Sequence, residues 1–162
     1  MKKSYRLSVE RSIINMKEFH GRVLFKGNLK GEAVVTHHGF NTLASFQKSL
    51  LSKTSKNVVV SDQNNPDLFR KEITGKILCL PQTIGSTTGG LVLQTAARRG
   101  LAPSAMLFAD EIDPLAASGV ILSNVWENVP LVCIDGLGEE FLSSVKTGDQ
   151  IEIKEDGTVL VG

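Results

Sequence analysis

Between Lys76 and Arg99 the chain runs an apolar stretch, a turn of small residues and a helical pattern without a break: KILCL, then PQTIGSTTGG, then LVLQTAARR. The apolar stretch 77–80, bounded by turn formers, reads as a buried strand. The helix expected over 88–99 is closed by Gly100, with Arg98 and Arg99 in its last turn, where cations complement the helix dipole. A buried strand feeding a helix requires layers that cover both, so this unit commits the chain to an α/β architecture. It also gathers backbone N–H groups and hydroxyls at a helix N-terminus, a place suited to a phosphate, a carboxylate or the turn alone.

The rest of the chain agrees with that class. Residues 21–25 and 31–36 read as strands joined by a turn over 26–30. Residues 104–109 and 130–134 read as strands, 114–123 as a helix, and 139–145 as one or two helical turns. Segments 150–154 and 158–161 flank Asp156-Gly157, a hairpin signature. Residues 40–52 fit either a short helix or an irregular loop, and 61–67 is a loop by its polar, proline-containing composition. Alternation in the centre and hairpins at both ends make a mixed α/β domain. Residues 1–18 show no period and are expected to form an N-terminal extension, leaving 19–162 as the domain.

Composition narrows the function. A formal net charge of +1 argues against a nucleic-acid surface. No stretch approaches the roughly 18 apolar residues of a membrane span, and the charged N-terminus has no apolar signal core, so a cytoplasmic protein is expected. Cys79 and Cys133 sit singly in apolar runs and read as core thiols in a reducing compartment. A metal or iron–sulfur site within this chain would need three or four clustered ligands, which the sequence lacks.

Three chemistries compete for the turn. Gly85 and Gly90 have the spacing of a nucleotide phosphate loop, but Leu91-Val92 stand where Lys-Ser/Thr is needed, and no Gly-x-Gly-x-x-Gly is present. Thr88-Gly89-Gly90 resembles the turn of phosphohistidine carriers, yet His20, His37 and His38 all lie upstream. There remains a hydroxyl acting at the helix N-terminus, supplied by Ser86, Thr87 or Thr88. Ser86 or Thr87 also fits a plain N-cap. Glycines on both sides cost helix stability and suggest close approach of something to the backbone.

Several linked motifs then match a known family. Gly75-Lys76-Ile77-Leu78, Pro81, Gly85-Ser86-Thr87-Thr88-Gly89, Gly100-Leu101-Ala102-Pro103-Ser104-Ala105 and Glu111-Ile112-Asp113-Pro114 through Gly119 occur in the order found in the aconitase X family of hydro-lyases. From about Gly21 to Val132 the chain resembles the small-subunit, or swivel-domain, part of that family. Two positions depart from the pattern: Thr83-Ile84 precede the loop glycine where Gly-Arg is common, and Asn65-Pro66 replace His-Pro.

The resemblance implies a swivelling β/β/α domain, with mixed or barrel-like β-structure and flanking helices, that closes over a large partner subunit. The partner would hold an iron or iron–sulfur centre and most of the pocket for a small hydroxy acid. Ser86 is implied as the base that removes the proton next to the carboxylate, with Gly85, Thr87, Thr88 and Asp62 as substrate-binding candidates. A helix N-terminus supplies roughly half a positive charge toward a serine alkoxide, and N–H groups over 85–89 would add to it. The missing loop arginine favours cis-3-hydroxy-L-proline over mevalonate 5-phosphate; a non-catalytic binding or regulatory module is the rival reading. Asp62 alone reads as a turn aspartate. Glu111 and Asp113 could form a carboxylate pair, but Asp113 before Pro114 is explained as a helix cap. His37 and His38, taken as adjacent strand residues, would point to opposite faces and not chelate together. Trp126 suits a core or, if exposed, an interface.

Overall fold

The computed structural model describes residues 16–162. Its strands are β1 (Lys17–His20), β2 (Arg22–Phe25), β3 (Leu29–Val35), β4 (Phe40–Asn41), β5 (Ile77–Leu80), β6 (Thr83–Ile84), β7 (Ala105–Phe108), β8 (Val132–Asp135), β9 (Gln150–Ile153) and β10 (Thr158–Val161). The described helices are α1 (Thr42–Leu51), α2 (Gly89–Arg98), α3 (Pro114–Val125) and α4 (Glu139–Ser144). The extension expected over 1–18 lies outside the described residues up to position 15, and β1 begins inside its last part.

Eight strands form one sheet in the order β1-β10-β9-β3-β5-β7-β8-β2. Neighbours from β3 to β8 run parallel, as buried strands followed by crossover helices must. The remaining pairs are antiparallel. β1 and β2 stand at opposite ends of that order, yet only Gly21 separates them in sequence. The sheet therefore curls into a nearly closed barrel, and Gly21 crosses the seam. Its N–H donates to the Gly157 carbonyl at 3.3 Å. A Cβ at Gly21 would stand 2.5 Å from the Asp135 carbonyl oxygen, so no side chain fits there.

Side-chain alternation sends the parallel strands' residues to two cores. Ile77, Cys79, Ala105, Leu107, Val132 and Ile134 face the barrel interior with Phe141, Ile151 and Val159. Leu78, Leu80, Met106, Phe108 and Cys133 face outward, under Phe46, Leu93 and Val120 of the helices. Cys79 and Cys133 thus lie on opposite faces of the sheet, each buried and free.

Three expectations change. The N-terminal strands form no hairpin: β2 pairs with β8, while β3 spans two neighbours, Leu29–Glu32 against β9 and Ala33–Val35 against β5. Barrel closure outweighs local pairing here, and β3 starts inside the expected turn. Segment 40–52 resolves as helix α1, capped by Asn41 Oδ1 accepting from Ala44 N at 3.1 Å. His37 and His38 lie beyond the end of β3 and so escape strand alternation; both rings lean toward Asp67, at 3.6 Å and 3.9 Å from its Oδ2.

Candidate active site

Loops leaving the carboxyl ends of β3, β5 and β7 meet at one place, where open α/β sheets bind ligands. The first two are joined by the β4–β6 pairing and by Phe40 N donating to Gln82 O at 2.9 Å. Asp110 N donates to Pro81 O at 3.1 Å and brings in the third. Between them lies a cleft of about 100 Å³ lined by Thr42, Thr83, Ile84, Gly85, Ser86 and Gly89 on one side and Asp113, Leu115 and Ala116 on the other. Ligand pockets for whole metabolites run from roughly 300 Å³ upward, so this is a fraction of one.

The glycines around the turn are explained from inside the chain. Gly85 has φ +99°, and a Cβ there would stand 2.6 Å from Asn41 Nδ2. A Cβ at Gly90 would meet Leu115 O at 2.6 Å and Ser118 Oγ at 2.5 Å. The close approach to the backbone expected from the glycines is borne out at Gly90, where helix α3 is what approaches.

Ser86 lines the cleft, half-buried, and does not cap the helix: α2 starts at Gly89, with Thr88 in the N-cap position. Ser86 Oγ accepts from Thr88 N at 3.1 Å and lies 2.7 Å from Thr88 Oγ1. Gly89 N donates to Ser86 O at 3.1 Å and closes the turn. Thr87 and Thr88 are exposed and outside the cleft lining. Asp62 sits elsewhere, on a loop lining a separate surface hollow with Ala44 and Lys48, its Oδ1 accepting from Asn64 N at 2.9 Å. Asn65 is buried and accepts from Thr36 Oγ1 at 3.0 Å.

Asp113 is the cleft's charged lining residue, and its carboxylate is already engaged. Oδ1 accepts from Leu115 N at 2.9 Å and Ala116 N at 3.1 Å, the expected cap, and Oδ2 accepts from the Thr83 hydroxyl. Glu111 is exposed and outside the lining, so the two carboxylates form no pair in the cleft. Thr42 and Thr83 enter the site unforeseen. Only the meeting of two loops thirty residues apart reveals Thr83, and no local signal marks it.

The loop that carries Asp113 is anchored from the seam. Asp135, fully buried, takes Arg22 in two bonds, Nε to Oδ1 at 2.9 Å and Nη2 to Oδ2 at 2.6 Å, and Ile112 N at 2.8 Å. Burial pushes its carboxyl up, but Arg22 and the Ile112 N–H outweigh that and hold it below the usual carboxylate range. Burial also pushes the Cys133 thiol up to about 12 and the Cys79 thiol higher, so neither is a ready thiolate ligand. Among the described residues no three His, Cys, Asp or Glu side chains come together to hold a metal ion, so the described side chains do not by themselves fit an iron centre. No helix among the described residues is long and apolar enough to cross a membrane.

The fold and its loop cluster define a swivel-type β/β/α domain with a small cleft at the carboxyl ends of its parallel strands. Residues 18–161 match the family model described as the aconitase X swivel domain, and the chain belongs to that family. It is 31% identical over 136 residues to the phosphomevalonate dehydratase small subunit of Methanocaldococcus jannaschii, covering 84% of this chain and 90% of that one. It is 32% identical to the protein of the same name from Methanosarcina acetivorans, covering 82% of each. The crystal structure of Thermococcus kodakaraensis aconitase X, holo-form, superposes with a TM-score of 0.73 at 26% identity, covering 90% of this chain and 98% of that one.

Proposed function

We propose that this chain is the small subunit of a two-chain aconitase-X-type dehydratase, with Ser86 as the base. The observation that carries this is Ser86 lining the cleft three residues before the start of α2, its Oγ held by the Thr88 N–H and hydroxyl. Mevalonate 5-phosphate and cis-3-hydroxy-L-proline both carry a hydroxyl on the carbon next to the one bearing the acidic proton. Ser86, as alkoxide, takes the proton from the carbon beside the carboxylate. The C–H pair forms the new double bond, and hydroxide leaves from the neighbouring carbon. The α2 dipole and the two Thr88 contacts favour the charged oxygen.

The relatives' names favour mevalonate 5-phosphate as the substrate, against the hydroxyproline preference drawn from the missing loop arginine. The hydroxyproline reading keeps one support: among the described residues the cleft lining has no Lys or Arg for a phosphate. On this reading the phosphate partner, and the iron centre that the family resemblance implies, would both be held by the large subunit. Gly85 would shape the cleft wall, and Thr87 would meet substrate or partner from the rim; Asp62, on its separate hollow, gains no support from this cleft.

A large subunit is also favoured by the surface around the cleft. Ile84 and Leu115 line it and are exposed, and Leu91 is exposed in the first turn of α2. Helix α3 contains no charged residue and presents Ile121, Val125 and, just beyond its end, Trp126, which is 73% exposed. Isolated apolar residues are ordinary; a stripe leading from a partial site marks an interface.

The test is co-expression with the cognate large subunit and assay of dehydration of both substrates. The complex should form, and Ser86→Ala within it should lose on the order of a hundredfold to ten-thousandfold in kcat with little change in KM. An intact complex in which Ser86→Ala keeps its kcat would place the base on the partner. A complex inactive on both substrates but stable would favour the binding-module reading.

A further inference from the structure

Thr88 stands in the N-cap position of α2, where a threonine hydroxyl ordinarily accepts a backbone N–H of the first turn. It makes no such bond. Its Oγ1 lies instead 2.7 Å from Ser86 Oγ, and its own N–H donates to the same oxygen at 3.1 Å. Both polar groups that Thr88 can turn outward thus point at one atom. The turn is closed without the side chain, by Gly89 N on Ser86 O, so the hydroxyl contact is not needed to form it.

We propose that Thr88 is a positioning residue for Ser86, fixing its rotamer and donating its hydroxyl proton to Ser86 Oγ when that oxygen is charged. This rests on the reading of Ser86 as the base. A hydroxyl pair is ambiguous while both oxygens are neutral, since either can donate. An alkoxide only accepts, so loss of the Ser86 proton settles the direction: the Thr88 O–H and N–H both donate, and two donors to the charged form favour it. The proton leaving Ser86 passes to hydroxide from the solvent, to which the half-buried Ser86 is open, and not to Thr88, which keeps its own. Among the described residues Asp113 is the ionisable side chain that lines the same cleft, and its Oδ2 is held by Thr83, so it does not compete for the Ser86 proton.

Two measurements test the proposal. In the complete free chain, three-bond couplings to the Thr88 Cγ report its χ1 angle. One rotamer is expected in the wild type and averaging in Ser86→Ala; averaging already in the wild type would overturn the proposal. In the complex assayed with mevalonate 5-phosphate and with cis-3-hydroxy-L-proline, Thr88→Val removes the hydroxyl and keeps the N–H. It should lower kcat about tenfold to a hundredfold with KM nearly unchanged, and move the alkaline rise of kcat to higher pH. Thr88→Ser, which restores the hydroxyl, should recover most of the loss. In a Ser86→Ala background Thr88→Val should cost nothing further, as two residues acting through one step are non-additive.

Equal activity in Thr88→Val and wild type, with Ser86→Ala inactive, overturns this inference and leaves the Ser86 reading standing. Full activity in Ser86→Ala overturns both. A Thr88→Val loss that Thr88→Ser does not repair assigns Thr88 to the turn alone and also overturns it.

Discussion

The antiparallel half of the sheet and the helix-covered half bury their apolar residues to different extents. On the first side Val159, Ile151 and Ile153 are sealed inside the barrel, Phe19 packs edge-on against Phe141 at 5.4 Å, and Gly21 joins the two edges. On the second side α2 and α3 cover the sheet but leave Leu91, Leu115, Ile121, Val125 and Trp126 facing water. One half completes its own core. The other keeps apolar surface beside a cleft too small for a metabolite. On the proposed reading stability and function are thus divided: the barrel holds the fold, and the helical face would leave a site for another chain to complete.

The largest effect on folding should come from the seam. Gly21→Val places carbon where the Asp135 carbonyl and the Ile134 methyl already stand, each 2.5 Å from the added Cβ. Overpacking of this kind should cost about 3 kcal/mol, read as a shift in the urea midpoint. A variant as stable as the wild type would mean the edges are not closed by this residue, and the contrast between the halves would weaken.

Trp126→Glu tests the other half and should act in the opposite sense. The free chain should keep its stability to within about 0.5 kcal/mol, as surface substitutions do. Affinity for the large subunit should fall about thirtyfold, the effect of losing one aromatic anchor of about 2 kcal/mol. The single tryptophan makes this measurable: a 5-fluorotryptophan label gives one fluorine resonance, which should move on addition of unlabelled large subunit. Loss of stability in the free chain would put Trp126 in the core, and unchanged affinity would remove α3 from the interface.

The same division decides what could be read from the sequence. Elements whose partners are local were legible: β5, β7 and β8 as apolar runs, α2 and α3 from their caps and periodicity, and β9–β10 from Asp156-Gly157. The barrel was recoverable only through the family resemblance, because β1 and β2 close it by pairing with strands more than a hundred residues away. The site divides likewise. Gly85 and Ser86 stand together in one loop and were found as a loop. Thr42 and Thr83 join them through the β4–β6 pairing, two residues long, for which no periodicity exists. Gly90 was legible as a place of close approach but not as to what approaches, because a glycine making room for a helix and one making room for a ligand look alike until the helix is placed. The strand placement of His37 and His38 was misread because β3 ends at Val35, before either of them.

The smallest effect expected is at the joint between the halves, where Asp135 ties Arg22 of the seam to the Ile112 N–H of the site loop. Arg22 is 61% exposed, so the pair is worth less than a fully buried one. Asp135→Asn should cost about 1.5 kcal/mol near neutral pH, and the pH dependence identifies its origin. The folded carboxyl is held below its usual range, whereas in the unfolded chain it titrates near about 3.9. Its contribution is therefore complete above that unfolded value and is lost as pH falls through the lower folded one. Asp67, held down chiefly by the His37 N–H, and Asp156, held down by Thr158, lose stability in the same acid range. Both are present in wild type and variant, so subtracting the two curves isolates Asp135. The difference should be constant from pH 7 to about 5 and shrink below about pH 4. A difference that persists undiminished to the acid end would mean that the Asp135 charge contributes nothing, and that the joint is held by the shape of the side chain alone.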